Sequence, residues 1–153
     1  MPAPRLSTSL LALALGGLPC LPSLWAQVTE PTVISIDVKP GSDVNSLNVK
    51  SRGRTSVVLL CDATFDPATV DVTTVMLEDA RGERCVLDEG TIVSAVSVLP
   101  AALCQSLVCE FRTHDIGVMC DTTEVTLTAT TLDGESLTGT DVVRPVPCQE
   151  KKK

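Results

Sequence analysis

Aromatic residues are nearly missing from this chain, which has no Tyr, one Trp and two Phe in 153 residues. Sites for carbohydrate and for single-stranded nucleic acid stack their ligands on aromatic faces, so both partner classes lose their usual platform. His114 is the only histidine, too few for the imidazole sets of zinc sites. The chain also has no Cys-x-x-Cys, no Gly-x-Ser-x-Gly elbow, no phosphate-cradling glycine loop and no Asn-x-Ser/Thr acceptor. Positive charge is scarce as well: 12 Lys and Arg stand against 19 Asp and Glu, for a net charge of −7. Three of the cations are the terminal Lys151, Lys152 and Lys153. An acidic body disfavours nucleic acid and anionic membrane surfaces, and three terminal lysines make a solvated tail rather than a polybasic anchor.

Charge is missing from Leu6 to Thr29. Arg5 and the α-amino group form a positive start, Leu10–Gly17 (LLALALGG) an apolar centre, and Pro19 and Pro22 a polar-turning end, the three parts of a secretory signal peptide. Cleavage after Ala26 is expected. Two competing readings are an uncleaved anchor, which the prolines disfavour, and lipidation of Cys20, for which Gly17 and Pro19 are poor flanking residues. Removing Met1–Ala26 takes away Arg5 and no acid, so −7 becomes −8. It also removes Cys20 from a set of seven, leaving Cys61, Cys85, Cys104, Cys109, Cys120 and Cys148. An even set behind an export signal points to three structural disulfides in a secreted, periplasmic or cell-surface protein. Sequence does not choose among the pairings. The expectation taken here joins Cys61 to Cys104, Cys85 to Cys109 and Cys120 to Cys148.

The mature region reads as β throughout. Val33–Val38 alternates Ile34, Ile36 and Val38 with Ser35 and Asp37, and Pro40-Gly41-Ser42-Asp43 is a turn. Leu47 and Val49 continue the alternation, and Thr55–Cys61 is apolar at its centre, as in a strand covered on both faces. Thr73–Glu78, Thr91–Val98, Ser106–Phe111 and Glu124–Thr130 are further strands, and Asp133-Gly134 turns the chain into Ser136–Val143. That makes about eight short strands, an all-β antiparallel sandwich of immunoglobulin-like type. One domain is expected over residues 27–148, between the signal (1–26) and a charged tail (149–153). The helical competitor is Ala95–Leu107, where Pro100 would open a short turn.

Ile36-Asp37-Val38-Lys39-Pro40-Gly41-Ser42-Asp43-Val44-Asn45-Ser46-Leu47-Asn48, followed by Gly53–Leu60 and Phe65–Val75, resembles a module of many bacterial secreted proteins with the pattern IDIKPGSxPNxIN, VAIL and FDxxTVD. Phe111–Asp115 and Thr126–Asp141 extend the resemblance over most of Val33–Val146. It implies an extracytoplasmic β-sandwich, often one unit of a larger surface protein, with no catalytic activity assigned. The module's calcium-loop-like segment has no counterpart here: residues 88–107 offer only Asp88 and Glu89 as acids, fewer oxygens than calcium needs.

Two constellations remain. His114 beside Asp115 suggests a base and its orienter, but neighbours on a strand point to opposite faces, and a solvated or turn histidine is the expectation. Asp43, Asn45, Asp133 and Glu135, with Asp121 and Asp141, lie in turns or strand ends and could converge on a weak calcium site. Such side chains more often cap turns. The functional expectation is therefore a non-catalytic secreted structural or binding module with a protein or surface partner. The alternatives are a subunit of an extracellular assembly, self-associating through an exposed strand at Gln27–Val38, and a secreted hydrolase working with paired carboxylates.

Overall fold

The computed structural model describes residues 29–88 and 105–148. Eleven strands run through them: β1 (Thr32–Val33), β2 (Ile36–Val38), β3 (Ser46–Asn48), β4 (Arg54–Leu59), β5 (Met76–Leu77), β6 (Ala80–Arg81), β7 (Arg84–Asp88), β8 (Ser106–Arg112), β9 (Glu124–Thr130), β10 (Ser136–Val142) and β11 (Arg144–Val146). They form a five-stranded sheet in the order β1-β10-β9-β5-β6, a four-stranded sheet β2-β4-β8-β7 and a parallel pair β11-β3. Pairing is antiparallel except for β1 with β10 and β11 with β3. The fold is thus mostly β, and no α-helix occurs among the described residues.

Alternation in the sequence sets the longest strands. In β9, Val125, Leu127 and Ala129 turn inward, and in β8 Leu107, Cys109 and Phe111 do the same. β4 buries Val57, Val58 and Leu59 in succession, as its apolar centre requires. One hydrophobic cluster takes residues from both large sheets and from Leu47 of β3, and it includes both phenylalanines, Phe65 and Phe111. Each fully buried side chain of this kind contributes about 1.5–3 kcal/mol.

Where one strand is expected over Val33–Val38, the chain forms two, because this segment leaves one sheet and joins the other. Ile34 N–H donates to the Thr138 carbonyl on β10 at 2.8 Å, and the Ser35 carbonyl accepts from Leu60 N–H at 2.9 Å. Lys39 N–H then donates to Ser56 on β4 at 2.8 Å. The crossing runs over Gly139 of β10, where a Cβ would lie 2.8 Å from Ile36 Cγ2 and 2.9 Å from the Ile34 carbonyl. Only a residue without a side chain fits there.

The expected strand Thr73–Glu78 shortens to β5. Asp71 takes its first half into a turn, accepting from Thr73 N–H at 3.0 Å and Thr73 Oγ1 at 2.7 Å, and Glu78 closes it in a left-handed conformation (φ 48°). The expected strand Thr91–Val98, nearly all of the helical competitor, the signal segment and the charged tail fall outside the described residues. Among the described residues no helix is long and apolar enough to cross a membrane.

Two disulfides belong to the set named from the sequence. Cys85 of β7 is bonded to Cys109, its register partner on β8, and Cys120 is bonded to Cys148, just past β11. Cys61 is also disulfide-bonded, with its partner outside the described residues; the expected Cys61–Cys104 pair falls there. A bridge closing a loop of this size stabilises by about 3 kcal/mol on the chain-entropy account.

Gly139→Ala is expected to cost about 1–3 kcal/mol by overpacking a backbone carbonyl, seen as a lower urea midpoint. Gly53→Ala, where the near neighbour is the Ser51 hydroxyl at 3.2 Å, should stay within about 0.5 kcal/mol of the parent.

Candidate functional site

The residues that carry polar chemistry gather where the crossing segment meets the turn after β2. That turn needs left-handed backbone at Lys39 (φ 60°), Gly41 (φ 84°) and Asn45 (φ 41°). Asn tolerates this region better than most side chains, because its amide can bond locally. Here the amide reaches further. Asn45 Nδ2 donates to Asp141 Oδ2 at 3.0 Å and to the Val142 carbonyl at 2.9 Å, while Lys39 Nζ donates to the Ser46 carbonyl at 2.8 Å.

Asp141 is the hub. Its Oδ2 also accepts from Val38 N–H at 2.7 Å, and its Oδ1 from Val142 N–H at 2.8 Å. Three donors from three elements fix this carboxylate. Asp37 lies in the same junction, and burial, followed by the charge of Asp141, pushes its carboxyl above the ordinary carboxylate range. Asn45 Oδ1 is buried and has no hydrogen-bond partner among the described residues. The junction therefore joins an engaged carboxylate to a second one that holds its proton more tightly than usual. The contacts of Asp141 make the junction a clamp between β2, β10 and the turn.

The other candidates lie apart from it. Asp43 is exposed in the turn, whereas Asp133 and Glu135 sit in the β9–β10 turn. These two groups occupy opposite ends of β10, about 20 Å apart at the usual strand rise, so the four residues do not converge. Glu135 instead accepts from the Thr32 hydroxyl, which ties β1 to β10. Asp121 lies in the turn Met119–Thr122. Among the described residues, no group of three or more His, Cys, Asp or Glu side chains is arranged to hold a metal ion.

His114 and Asp115 are not on a strand. They lie on a 3₁₀ turn, Thr113–Ile116, which lets His114 Nδ1 approach Asp115 Oδ1 to 3.4 Å. The contact is long for a hydrogen bond, and the imidazole is 75% exposed. It makes a surface pair without a cleft.

Other carboxylates serve turns and surface ion pairs. The Thr64 hydroxyl, then the Thr64 and Phe65 N–H groups, hold the Asp62 carboxyl below its ordinary range. Glu83 bridges Arg54, at 3.0 Å, and Arg112, which face each other across β4 and β8. A surface recess of about 180 Å³ is lined by Glu78, Asp79, Thr122, Glu124 and residues 116–118. Glu78 already accepts from Thr126 N–H at 2.6 Å. The Asp37–Asp141 pair and this recess were not singled out as sites from the sequence, because their members are separated by long stretches of chain.

Asp141→Ala leaves Val38 N–H without its acceptor and the Asn45 amide with only the Val142 carbonyl, and should cost about 1–3 kcal/mol, measured by urea unfolding at neutral pH. Asp37→Asn should act differently. A carboxyl whose folded-state pKa lies above its unfolded value lowers stability as pH rises through that interval. The variant should therefore gain on the parent as pH rises through the carboxylate range and keep that gain at neutral pH; a pH-independent difference would remove Asp37 from the linkage. Comparison with protein-family models, with curated proteins and with solved structures finds no match, and the geometry of this junction is what a functional reading has to work from.

Proposed function

We propose that this chain is a non-catalytic extracytoplasmic module, a disulfide-stapled immunoglobulin-like β-sandwich that works as a structural or binding unit of a bacterial secreted or surface protein. One observation carries the reading: the polar side chains best placed for chemistry hold the fold together. Asp141 and Asn45 clamp the sheet crossing, Asp62 and Asp71 cap turns, and Glu83 neutralises facing arginines. The cysteines are used in the same way, with Cys85–Cys109 and Cys120–Cys148 pinning a strand and the chain end, an arrangement suited to an oxidising compartment. The resemblance of Ile36–Asn48 to a secreted bacterial module supports the same reading. These residues form β2, its left-handed turn and β3, which makes them a structural corner.

A second reading, a subunit of an extracellular assembly joined by strand pairing, draws on the edges of the sheets. The expected edge, the crossing segment, has Ile34 N–H and Val38 N–H already committed to β10. β7 is the edge that favours this reading.

The test is export with the native leader followed by intact-mass measurement before and after alkylation under non-reducing, denaturing conditions. The expected product starts at Gln27, carries three disulfides and takes up no alkylating agent. Free thiols in the exported protein, or a protein retained in the cytosol, would overturn the reading. A screen of chromogenic ester, glycoside and phosphate substrates should give no turnover; turnover abolished by Asp37→Asn would replace the module with a hydrolase.

A further inference from the structure

Cys85 and Cys109 face each other with Cα atoms 4.1 Å apart, the spacing of a non-hydrogen-bonded antiparallel pair. In such a pair the N–H and C=O of each residue turn away from the facing strand. Cys85, and Leu87 two residues on, therefore aim two N–H and two C=O groups at the outer side of β7, which is the edge of its sheet among the described residues. None of these four groups has a backbone partner among the described residues. Natural sheets keep exposed edges short, charged, bulged or covered, and the other edges of the two large sheets obey this: β1 and β6 have two residues and β2 three. β7 has five residues, with Val86 49% and Leu87 40% exposed at its centre. Its only charges stand at its ends and are opposite in sign, Arg84 and Asp88.

We propose that β7 is the seam of a symmetric dimer, in which a second copy of this chain pairs its own β7 antiparallel about a two-fold axis through Val86. In that register Cys85 faces Leu87 of the second copy and Leu87 faces its Cys85, so the two pairs exchange four main-chain hydrogen bonds. Val86 meets its counterpart on the axis, and Arg84 of each copy stands opposite Asp88 of the other. Parallel pairing in register would bring like charges together at both ends, which is destabilising, so the sign pattern selects the antiparallel arrangement. The interface is isologous, as closed two-fold association requires. The Cys85–Cys109 bond holds β7 on its sheet before the second copy arrives and so lowers the ordering cost of pairing. The product is one continuous sheet, β2-β4-β8-β7 extended by the same four strands in reverse. This inference rests on the extracytoplasmic module reading and names its partner.

Sedimentation equilibrium of the exported, oxidised protein should show a concentration-dependent monomer–dimer equilibrium. Val86→Lys, which leaves the main chain intact and sets two ammonium groups together on the axis, should raise the dissociation constant by about tenfold or more without changing the urea midpoint of the monomer. Arg84→Asp and Asp88→Arg should each weaken self-association, and mixing the two variants should restore a heterodimer, which a loss of folding would not do. A protein that stays monomeric at every concentration overturns the seam, and so does a dimer indifferent to all three substitutions. Alkylation of the same sample separates the two levels of inference: a monomer with intact disulfides removes only the seam, whereas free thiols remove the module reading beneath it.

Discussion

The architecture depends on one crossing. Residues 32–38 begin as a parallel partner of β10 and end as an antiparallel partner of β4, so a single extended segment fastens the two large sheets to each other. Extended backbone directs successive N–H and C=O groups to alternate sides. A strand that changes sheets therefore leaves some of these groups facing a neighbour with no ladder to offer. The carboxylate of Asp141 resolves this for Val38 N–H, and Gly139 lets the segment pass close enough for the rest. An unmet N–H at that depth would cost about 1–3 kcal/mol, a large part of the margin by which a small domain is stable.

With few aromatic residues, the core draws its volume from Val, Leu and Ile, and the two phenylalanines are both placed inside it. Smaller side chains bury less area each, and the fold adds covalent and polar restraints. The disulfide across β7 and β8 reaches into the central cluster through Cys109, with Cys85 packed against it, whereas the Cys120–Cys148 disulfide and the Asx-type caps at Asp62 and Asp71 lie outside it. Of the candidate side chains named from the sequence, Asn45, Asp141 and Glu135 have hydrogen-bond partners that tie elements of the fold together.

Local pattern made part of this legible. β9 has the bounds that the alternation of Glu124–Thr130 gives it, and β4 and β8 lie where their apolar centres place them. β7 and β11 escaped because neither has a clean period of two: Arg84–Asp88 sets Cys, Val and Leu side by side between two charges, and β11 contains Pro145. The break in the 33–38 strand was invisible because its cause, the approach to Gly139, is about a hundred residues away in sequence. Asn45 and Asp141 were both among the turn and strand-end residues named from the sequence, but the clamp they form was not legible, because their contact spans 96 positions and no spacing rule connects them. His114 lies exposed on a short 3₁₀ turn, as a solvated turn histidine, and the same turn brings it beside Asp115, which strand geometry would not.

The disulfide between register partners on β7 and β8 also has a topological meaning. Cys85 and Cys109 lie 24 positions apart in the chain yet side by side in the sheet, so the residues between them form a covalent ring closed at its base. A protease that cuts once within that ring opens a loop without dividing the molecule, because the two pieces stay bonded through the staple and stay paired along β8. The second bridge, from Cys120 to Cys148, encloses β9, β10 and β11 in another such ring. For a protein read as exposed to the outside of a cell, most single cuts in its C-terminal half would leave one molecule of unchanged mass, apart from the water added at the cleaved bond.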